Sequence, residues 1–400
     1  MLTLLIFLCT YAIVAAGRVP FLRLDRTGAA IVGAVLMIVT GAIGFDQAVR
    51  AVDYRTLVLL FGMMVLVAHL RLAGGLAALV QIVDRRVIHP VALLITIVVS
   101  SGVLAALFVN DTICLVFTPL VLDLAAARNR RPLPFLLALA TASNIGGLAT
   151  MTGNPQNMLI GTASKISFRA FSSALAPVAA LGLLIDAALL WLVFRRDLQP
   201  AVSAPAAIAP IPIDRHLLIK TAIIAAGVLG GFLAGYDTAL VAACGAAALL
   251  ITRRVAPAQI YAAIDWDLLM LFIGLFVVIG AAGEAGIDRR LFALLQPLGV
   301  QTIGGLTATA AILANTISNV PAVMLFTTLV PKLPHPAHAW LVLAMASTFA
   351  GNLTVVGSIA NLIVVEGAKR RGVMIRFGDY ARLGVPVTLA TLAAGIWWLA

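Results

Sequence analysis

The chain has 400 residues, of which 62% are hydrophobic and only 11% charged, and its formal net charge is +11. A soluble protein carries about 25% charged residues, so this composition excludes an ordinary soluble domain and indicates a surface that faces lipid. The three cysteines lie singly in apolar segments, which excludes a disulfide framework, and no basic, aromatic-interleaved segment fits nucleic acid.

Apolar segments of membrane-spanning length follow one another along the chain, for example Ile31–Phe45, Leu57–Leu70 and Leu268–Ala282. We interpret Met1–Gly17 as a first membrane helix, because it lacks the basic start and the cleavage site of a signal peptide. The pattern predicts an all-α polytopic membrane protein with about ten transmembrane helices, two of them broken.

Two segments are too long for one helix and too short for two full spans. Residues 90–126 carry polar Asn110, Asp111 and Thr112 near the centre, and residues 301–331 carry Ser318 and Asn319 there. Each segment is predicted to be a re-entrant helical hairpin with its tip near the bilayer midplane.

A helix with a polar interruption follows each hairpin, at residues 134–163 and at residues 339–366. Unwound backbone at membrane depth is tolerated only where protein buries it or where it lines a wet cavity. Broken helices at matching places in two halves therefore predict the binding site.

The two halves repeat one another in order. Asp53–Gly62 aligns with Asp265–Gly274, Asn110 aligns with Asn319, and Asn157 aligns with Asn361. This similarity predicts an N-terminal repeat over 1–198 and a C-terminal repeat over 215–400, joined by a proline-rich cytoplasmic linker over 199–214.

Charge predicts the topology. With ten spans and both termini outside, most of the 27 Lys and Arg residues fall in the loops on one side, which the positive-inside rule makes cytoplasmic. The same assignment opens the first hairpin inward and the second outward, so the repeats are inverted. We expect a multi-pass protein of a bacterial inner membrane.

The helix ends at the tips and breaks suit ions. Carbonyl groups at helix C-termini favour Na⁺, while N–H groups and the positive dipole at helix N-termini favour an anion. The predicted substrate- and ion-binding residues share a polar side chain or freed backbone, and they are Asn110, Asp111, Thr112, Asn144, Thr152, Gly153, Asn154, Pro155, Asn157, Ser318, Asn319, Thr354, Gly357, Ser358 and Asn361. A competing interpretation is that Asn and Gly only cap the broken helices.

Asp111 is the ionisable residue at a predicted tip. It is a candidate Na⁺ ligand together with Asn110 and Gly153, a candidate proton carrier, or simply a helix N-cap. Val320 stands at the matching place, so the two sites cannot be equivalent. Asp186, in the middle of an apolar segment, is a second candidate proton site.

The sequence contains no H-E-x-x-H, G-x-S-x-G or phosphate-binding-loop motif. The chain is therefore predicted not to be an enzyme and to need no cofactor beyond Na⁺ or H⁺ as a coupling ion.

The motifs Asn110-Asp111-Thr112 with Thr118-Pro119, Gly153 to Asn157, Ser318-Asn319 and Gly357-Ser358 resemble the ion transporter superfamily. That superfamily includes divalent anion–sodium symporters, citrate-type permeases, arsenite permeases and sodium–proton antiporters. The resemblance covers roughly residues 20–395 and implies a homodimer in which hairpins and broken helices slide past a scaffold as an elevator. The symporters carry Ser-Asn-Thr at both tips, and this chain departs from that at both.

These observations predict a secondary active transporter of a small anion, coupled to Na⁺ or H⁺, whose partners are the solute, the bilayer and a second copy of the chain. Two alternatives stay open: a Na⁺/H⁺ antiporter, and an arsenite or antimonite efflux permease.

Overall fold

The computed structural model describes residues 1–19, 23–76, 78, 89–199, 212–251 and 254–400. Most of the predicted linker over 199–214 lies outside these described residues. The repeat boundaries at 198 and 215 therefore stay predictions.

The described residues form helices joined by short turns. In the first half they are α1 (Leu2–Ala16), α2 (Arg26–Val39), α3 (Phe45–Ala51), α4 (Tyr54–Leu72), α5 (Pro90–Leu107), α6 (Asn110–Ala127), α7 (Leu133–Gly147), α8 (Pro155–Ser164) and α9 (Phe168–Phe194). In the second half they are α10 (Arg215–Leu233), α11 (Thr238–Leu250), α12 (Pro257–Tyr261), α13 (Trp266–Glu284), α14 (Ile287–Leu295), α15 (Ile303–Ile317), α16 (Asn319–Thr327), α17 (Pro336–Ala350), α18 (Ile359–Arg370) and α19 (Phe377–Leu399). A two-residue antiparallel pair, Arg18–Val19 with Leu24–Asp25, is the β-structure of the described residues.

Seven of the described helices are each long and apolar enough to cross a membrane, and several apolar helices are shorter. Two of these seven, α5 and α6, form the first hairpin, so five of the ten predicted spans are among them. The other five predicted spans are α7 with α8 and α17 with α18, each made of two short pieces, and the short helices α1, α2 and α11. Large apolar side chains such as Leu184, Trp191, Ile223, Leu389 and Trp397 are exposed, as expected for a surface that faces lipid.

Helices α5 and α6 form the first predicted hairpin. A Cβ atom placed on Gly146 of α7 would lie 2.1 Å from the carbonyl oxygen of Gly102, and the Thr150 hydroxyl donates to the carbonyl of Ala106. These two contacts mean that α5 runs beside α7 in the same direction. Helix α6 runs back, since Asn110 contacts Asn144 while Cys114 contacts Ser143 and Leu139. The turn between α5 and α6 therefore lies level with the end of α7.

Helices α15 and α16 repeat this arrangement against α17. The Asn315 amide donates to the carbonyl of Ala350 at 2.7 Å, so the end of α15 lies level with the end of α17. Ser318 makes the turn to α16 with a φ of 76°, a value that few residues other than glycine adopt. The re-entrant hairpins of the predicted fold are thus confirmed in both halves.

The halves interlock through their other helices. Gly62 of α4 packs on the backbone of Ala242 in α11, and Gly274 of α13 packs on the backbone of Ala30 in α2. Gly62 matches Gly274 and Ala242 matches Ala30 in the aligned repeats, so one contact is the two-fold image of the other. This reciprocity agrees with the predicted inverted repeats.

The ion pairs agree with the topology that the distribution of Lys and Arg predicts. The two sides of the membrane in that topology are here called the inner and outer sides. Arg55–Asp237 and Lys332–Asp288 each join two residues assigned to the outer side. Three further pairs each join two residues assigned to the inner side: Arg131–Asp197, Arg254–Asp214 and Arg371–Asp123. None of these five ion pairs links opposite sides, as a correct order of spans requires.

Candidate anion and ion site

The first break separates α7 from α8. Helix α7 ends at Gly147, one short 3-10 turn covers Met151–Gly153, and α8 begins at Pro155. The Asn157 amide donates to the carbonyls of Gly147 at 3.1 Å and Thr150 at 3.2 Å, and so satisfies groups that the end of a helix leaves free.

The second break has the same construction. The Asn361 amide donates to the carbonyls of Gly351 at 2.7 Å and Thr354 at 3.1 Å, with the same spacing along the chain. Asn157 and Asn361 therefore hold the breaks open, which is the capping role that the competing interpretation assigns to the asparagines.

The two breaks also contact one another. The Asn154 amide donates to the Thr348 hydroxyl at 3.2 Å, and the Ser358 hydroxyl donates to Asn144 Oδ1 at 3.0 Å. Asn154 matches Ser358 and Asn144 matches Thr348 in the repeats. Each broken helix is therefore fixed against the other by one of two symmetric hydrogen bonds.

Asn144 is the centre of the polar network. It is fully buried; its oxygen also accepts from the Asn110 amide at 2.9 Å, and its amide donates to Asn352 at 2.8 Å and to Asn361 at 3.0 Å. One side chain thus joins the first hairpin tip to the second break.

A cavity of about 20 Å³ lies where the tips and breaks meet. It is just large enough for a group the size of water. Its lining residues come from the first turns of α6, α8, α16 and α18, with one residue of α13, and they are Asn110, Asp111, Pro155, Gln156, Leu268, Ser318, Asn319, Val320, Ser358 and Ile359.

Four helix N-termini therefore meet at one cavity. Each N-terminus carries roughly half a positive elementary charge and free N–H groups, which favour an anion. Asp111 is the charged residue among those that line the cavity, and no Lys or Arg is found there among the described residues. Asn110 Oδ1 is buried and has no hydrogen-bond partner among the described residues, so an acceptor atom is also available beside the cavity.

Only some of the predicted binding residues line the cavity. Asn110, Asp111, Pro155, Ser318, Asn319 and Ser358 line it. The remaining predicted residues lie behind it or elsewhere: Thr112, Asn144, Thr152, Gly153, Asn154, Asn157, Thr354, Gly357 and Asn361.

Several of these residues have identifiable structural roles. Thr152 lines a separate, mostly apolar cavity with Leu107 and Phe108, and Gly153 packs on the backbone of Gly147. Of the three candidate Na⁺ ligands, Asn110 and Asp111 line the cavity and Gly153 does not.

Gln156, Leu268, Val320 and Ile359 line the cavity but are not in the predicted set of binding residues. Gln156 stands inside the run Gly-Asn-Pro-Gln-Asn, so its position next to Pro155 was an available signal. Leu268 and Ile359 are apolar residues among many, and the sequence offers no signal for them.

Asp186 lies away from the cavity, on α9. It is fully buried, its Oδ2 accepts from the Thr141 hydroxyl at 2.9 Å, and its Oδ1 has no hydrogen-bond partner among the described residues. The Thr141 carbonyl accepts from Asn352, which connects Asp186 to the Asn144 network.

Apolar spans, paired re-entrant hairpins and broken helices around a polar cavity define the class: this is a multi-pass membrane transporter. The chain belongs to the citrate transporter family, whose characteristic sequence pattern matches residues 11–350. The resemblance to the ion transporter superfamily is confirmed by this match.

Similar proteins are found in distant organisms. The chain is 32% identical to the silicon efflux transporter LSI3 of Oryza sativa, over 94% of this chain and 93% of that one. It is 31% identical to a 46 kDa membrane protein of Mycobacterium leprae, over 98% and 97% of the two chains. The crystal structure of the Alcanivorax borkumensis YdaH transporter shares the fold, with a TM-score of 0.61 at 16% identity over 100% of this chain and 96% of that chain.

Proposed function

We propose that the protein is a secondary active transporter of a small anion, coupled to Na⁺ or H⁺. The observation that carries this proposal is the meeting of four helix N-termini at one cavity without a Lys or Arg side chain. Backbone N–H groups and helix dipoles then supply the positive potential for the solute, and they need no counter-ion when the site is empty.

The size of the cavity favours a small inorganic oxyanion over a dicarboxylate. Its volume of about 20 Å³ holds only a group the size of water in this state, so any solute requires the cavity to widen, and a small inorganic oxyanion requires less widening than a dicarboxylate. Asn110 Oδ1 and the Asp111 carboxylate add acceptors, which suit a solute that also carries hydroxyl hydrogens.

Asp111 is the best candidate for ion coupling. It lines the cavity at the first turn of α6, and Val320 lines the same cavity from the second half. One carboxylate on one side of a two-fold site supports a single coupling position, for either H⁺ or Na⁺.

Transport would follow an elevator motion. The hairpins, the broken helices and α9 with α19 form a body that carries the cavity, and α1, α2, α4, α10, α11 and α13 form the scaffold. We further propose a homodimer in a bacterial inner membrane, with both termini outside.

A second candidate is efflux of an uncharged weak oxyacid such as arsenite or antimonite. The unpartnered acceptor Asn110 Oδ1 favours it, because such acids donate hydrogen bonds through every hydroxyl. The relative named as a silicon efflux transporter adds support from sequence. A Na⁺/H⁺ antiporter is the third candidate, and for it Asp111 would be the carrier.

The test is flux in proteoliposomes with an imposed Na⁺ or H⁺ gradient, using sulfate, silicate, arsenite, citrate and succinate. We expect gradient-dependent movement of one small inorganic solute and none of citrate. Flux of Na⁺ and H⁺ alone, with no effect of any solute, would refute the proposal in favour of antiport. A thermal-shift screen of the same solutes, with and without Na⁺, reports binding independently of flux.

A further inference from the structure

The scaffold and the mobile body pack closely on the outer side but not on the inner side. On the outer side the scaffold helices pack on the mobile body, α4 against α8 and α13 against α16. The symmetric counterparts on the inner side are α13 with α18 and α4 with α6, and among the described residues these pairs do not pack closely. The structure is therefore one asymmetric state, closed on the outer side.

One polar contact marks the closed side. Asp53, the N-cap of α4, accepts a hydrogen bond from the Thr162 hydroxyl of α8 at 3.0 Å, and Thr56 joins the same contact. This contact, here called the outer latch, connects the scaffold to the outer end of the first broken helix.

The symmetric residues on the inner side stand apart. Asp265 is the N-cap of α13, as Asp53 is of α4. Glu366 is the counterpart of Thr162, because each follows its break-holding asparagine, Asn361 or Asn157, by five residues. Glu366 is exposed, and the described residues give it no hydrogen bond or ion pair.

Both residues face the open inner side. Asp265 lines a cavity of about 50 Å³ together with Asp111, Thr112 and Arg71. Glu366 lies seven residues after Ile359, two helical turns along the same face, and Ile359 shares the central cavity with Leu268 of α13. The face of α18 that carries Glu366 is therefore continuous with the face that borders the central cavity, which Leu268 of α13 also lines.

We propose that in the second state of the cycle Asp265 and Glu366 meet and form an inner latch, while Asp53 and Thr162 separate. This inference rests on the two-body motion proposed above.

The two latches differ in chemistry. The outer latch joins a carboxylate to a hydroxyl, which hydrogen-bond at any pH where the carboxylate is ionised. The inner latch would join two carboxylates, which repel unless they share one proton. The inner latch therefore binds a proton as it closes, and the second state is favoured at lower pH.

Other charges surround the latch residues. Near Asp265 lie Asp25, Arg26, Arg71, Asp111 and Asp267, and near Glu366 lie Asp123, Lys369, Arg370 and Arg371. These charges set the pH at which the latch closes. With one proton shared in the closed latch, the ratio of the two states changes by at most about tenfold per pH unit.

Disulfide cross-linking tests the two latches without any solute. In the full-length chain with Cys9, Cys114 and Cys244 replaced by serine, we expect both Asp53→Cys/Thr162→Cys and Asp265→Cys/Glu366→Cys to cross-link. We expect no cross-link for Asp53→Cys/Glu366→Cys, whose residues lie on opposite sides. If the outer pair cross-links but the inner pair does not at any pH between about 5 and about 9, the proposal is wrong.

Replacing Glu366 tests the proton. In the Asp53→Cys/Thr162→Cys chain, lowering the pH should reduce the fraction cross-linked, relative to the same chain carrying Glu366→Thr. Glu366→Thr gives the inner latch the carboxylate and hydroxyl of the outer latch, so it should remove the pH dependence that is specific to Glu366. Glu366→Gln should do the same. Equal pH profiles in all three chains would overturn the shared proton. Because neither readout needs transport, a wrong solute assignment would leave both results intact.

Discussion

Removing the side chain of Asn144 should destabilise the protein far more than any other single change in the polar network. Asn144→Ala takes the partner from four buried groups, on Asn110, Asn352, Ser358 and Asn361. Each buried polar group left without a partner costs about 1 kcal/mol or more, so the free energy of unfolding should fall by about 4 kcal/mol.

The second repeat offers a matched control at Thr348, the counterpart of Asn144. Its hydroxyl accepts from Asn154 at 3.2 Å, with a longer contact to Gln156 at 3.5 Å. Thr348→Val keeps the shape and removes essentially one hydrogen bond, so the expected loss is about 1 kcal/mol. Asn144→Thr copies the second repeat and should fall between the two.

The assay is reversible unfolding of the purified protein in mixed micelles of mild detergent and SDS, followed by circular dichroism. The quantity compared is the free energy of unfolding of the variants against the unchanged protein. If Asn144→Ala loses no more than Thr348→Val, the four hydrogen bonds do not act as a network and the reasoning fails.

Three further predictions follow from single positions. Because Asp111 is the proposed coupling position, Asp111→Asn should keep downhill solute flux in proteoliposomes, alter its pH dependence and abolish the flux driven by the Na⁺ or H⁺ gradient; loss of cation exchange with no solute flux in either protein would instead support a Na⁺/H⁺ antiporter. Gly146→Ala should prevent folding, measured as monodisperse protein after extraction, because its Cβ would lie 2.1 Å from a backbone atom of Gly102; normal yield and thermal stability would contradict the close packing. Asp186→Asn keeps an acceptor for the Thr141 hydroxyl, so stability should change by less than about 1 kcal/mol. A shifted pH profile of flux in that variant would mark Asp186 as a proton site, and an unchanged profile would leave it a structural residue.

Much of the fold could be predicted from sequence because the bilayer restricts the backbone to few structures. Backbone groups must pair within helices at membrane depth, so apolar length gives the spans and polar interruptions give the hairpin tips and breaks. Matched Asp53 and Asp265, and matched Asn157 and Asn361, reveal the repeat because caps and breaks need particular residue types.

The site was harder to predict because the same residue types have two different roles. Asn110 and Asn319 line the cavity, whereas Asn157 and Asn361 turn away and hold the breaks through backbone carbonyls. An asparagine amide satisfies a freed carbonyl as readily as it faces a solute, and spacing along the chain does not distinguish the two.

The sequence by itself thus determined the apolar spans and the paired repeats, and it predicted the place of the candidate site, since each depends on local apolar length and on residue types that recur in both halves. Only the tertiary structure decided that four helix N-termini share one small cavity, that Asn144 joins the halves, and that the outer latch is closed. Those features depend on how distant segments are brought together. The two repeats have the same sequence whether the outer or the inner side is closed, so the sequence does not show which side closes.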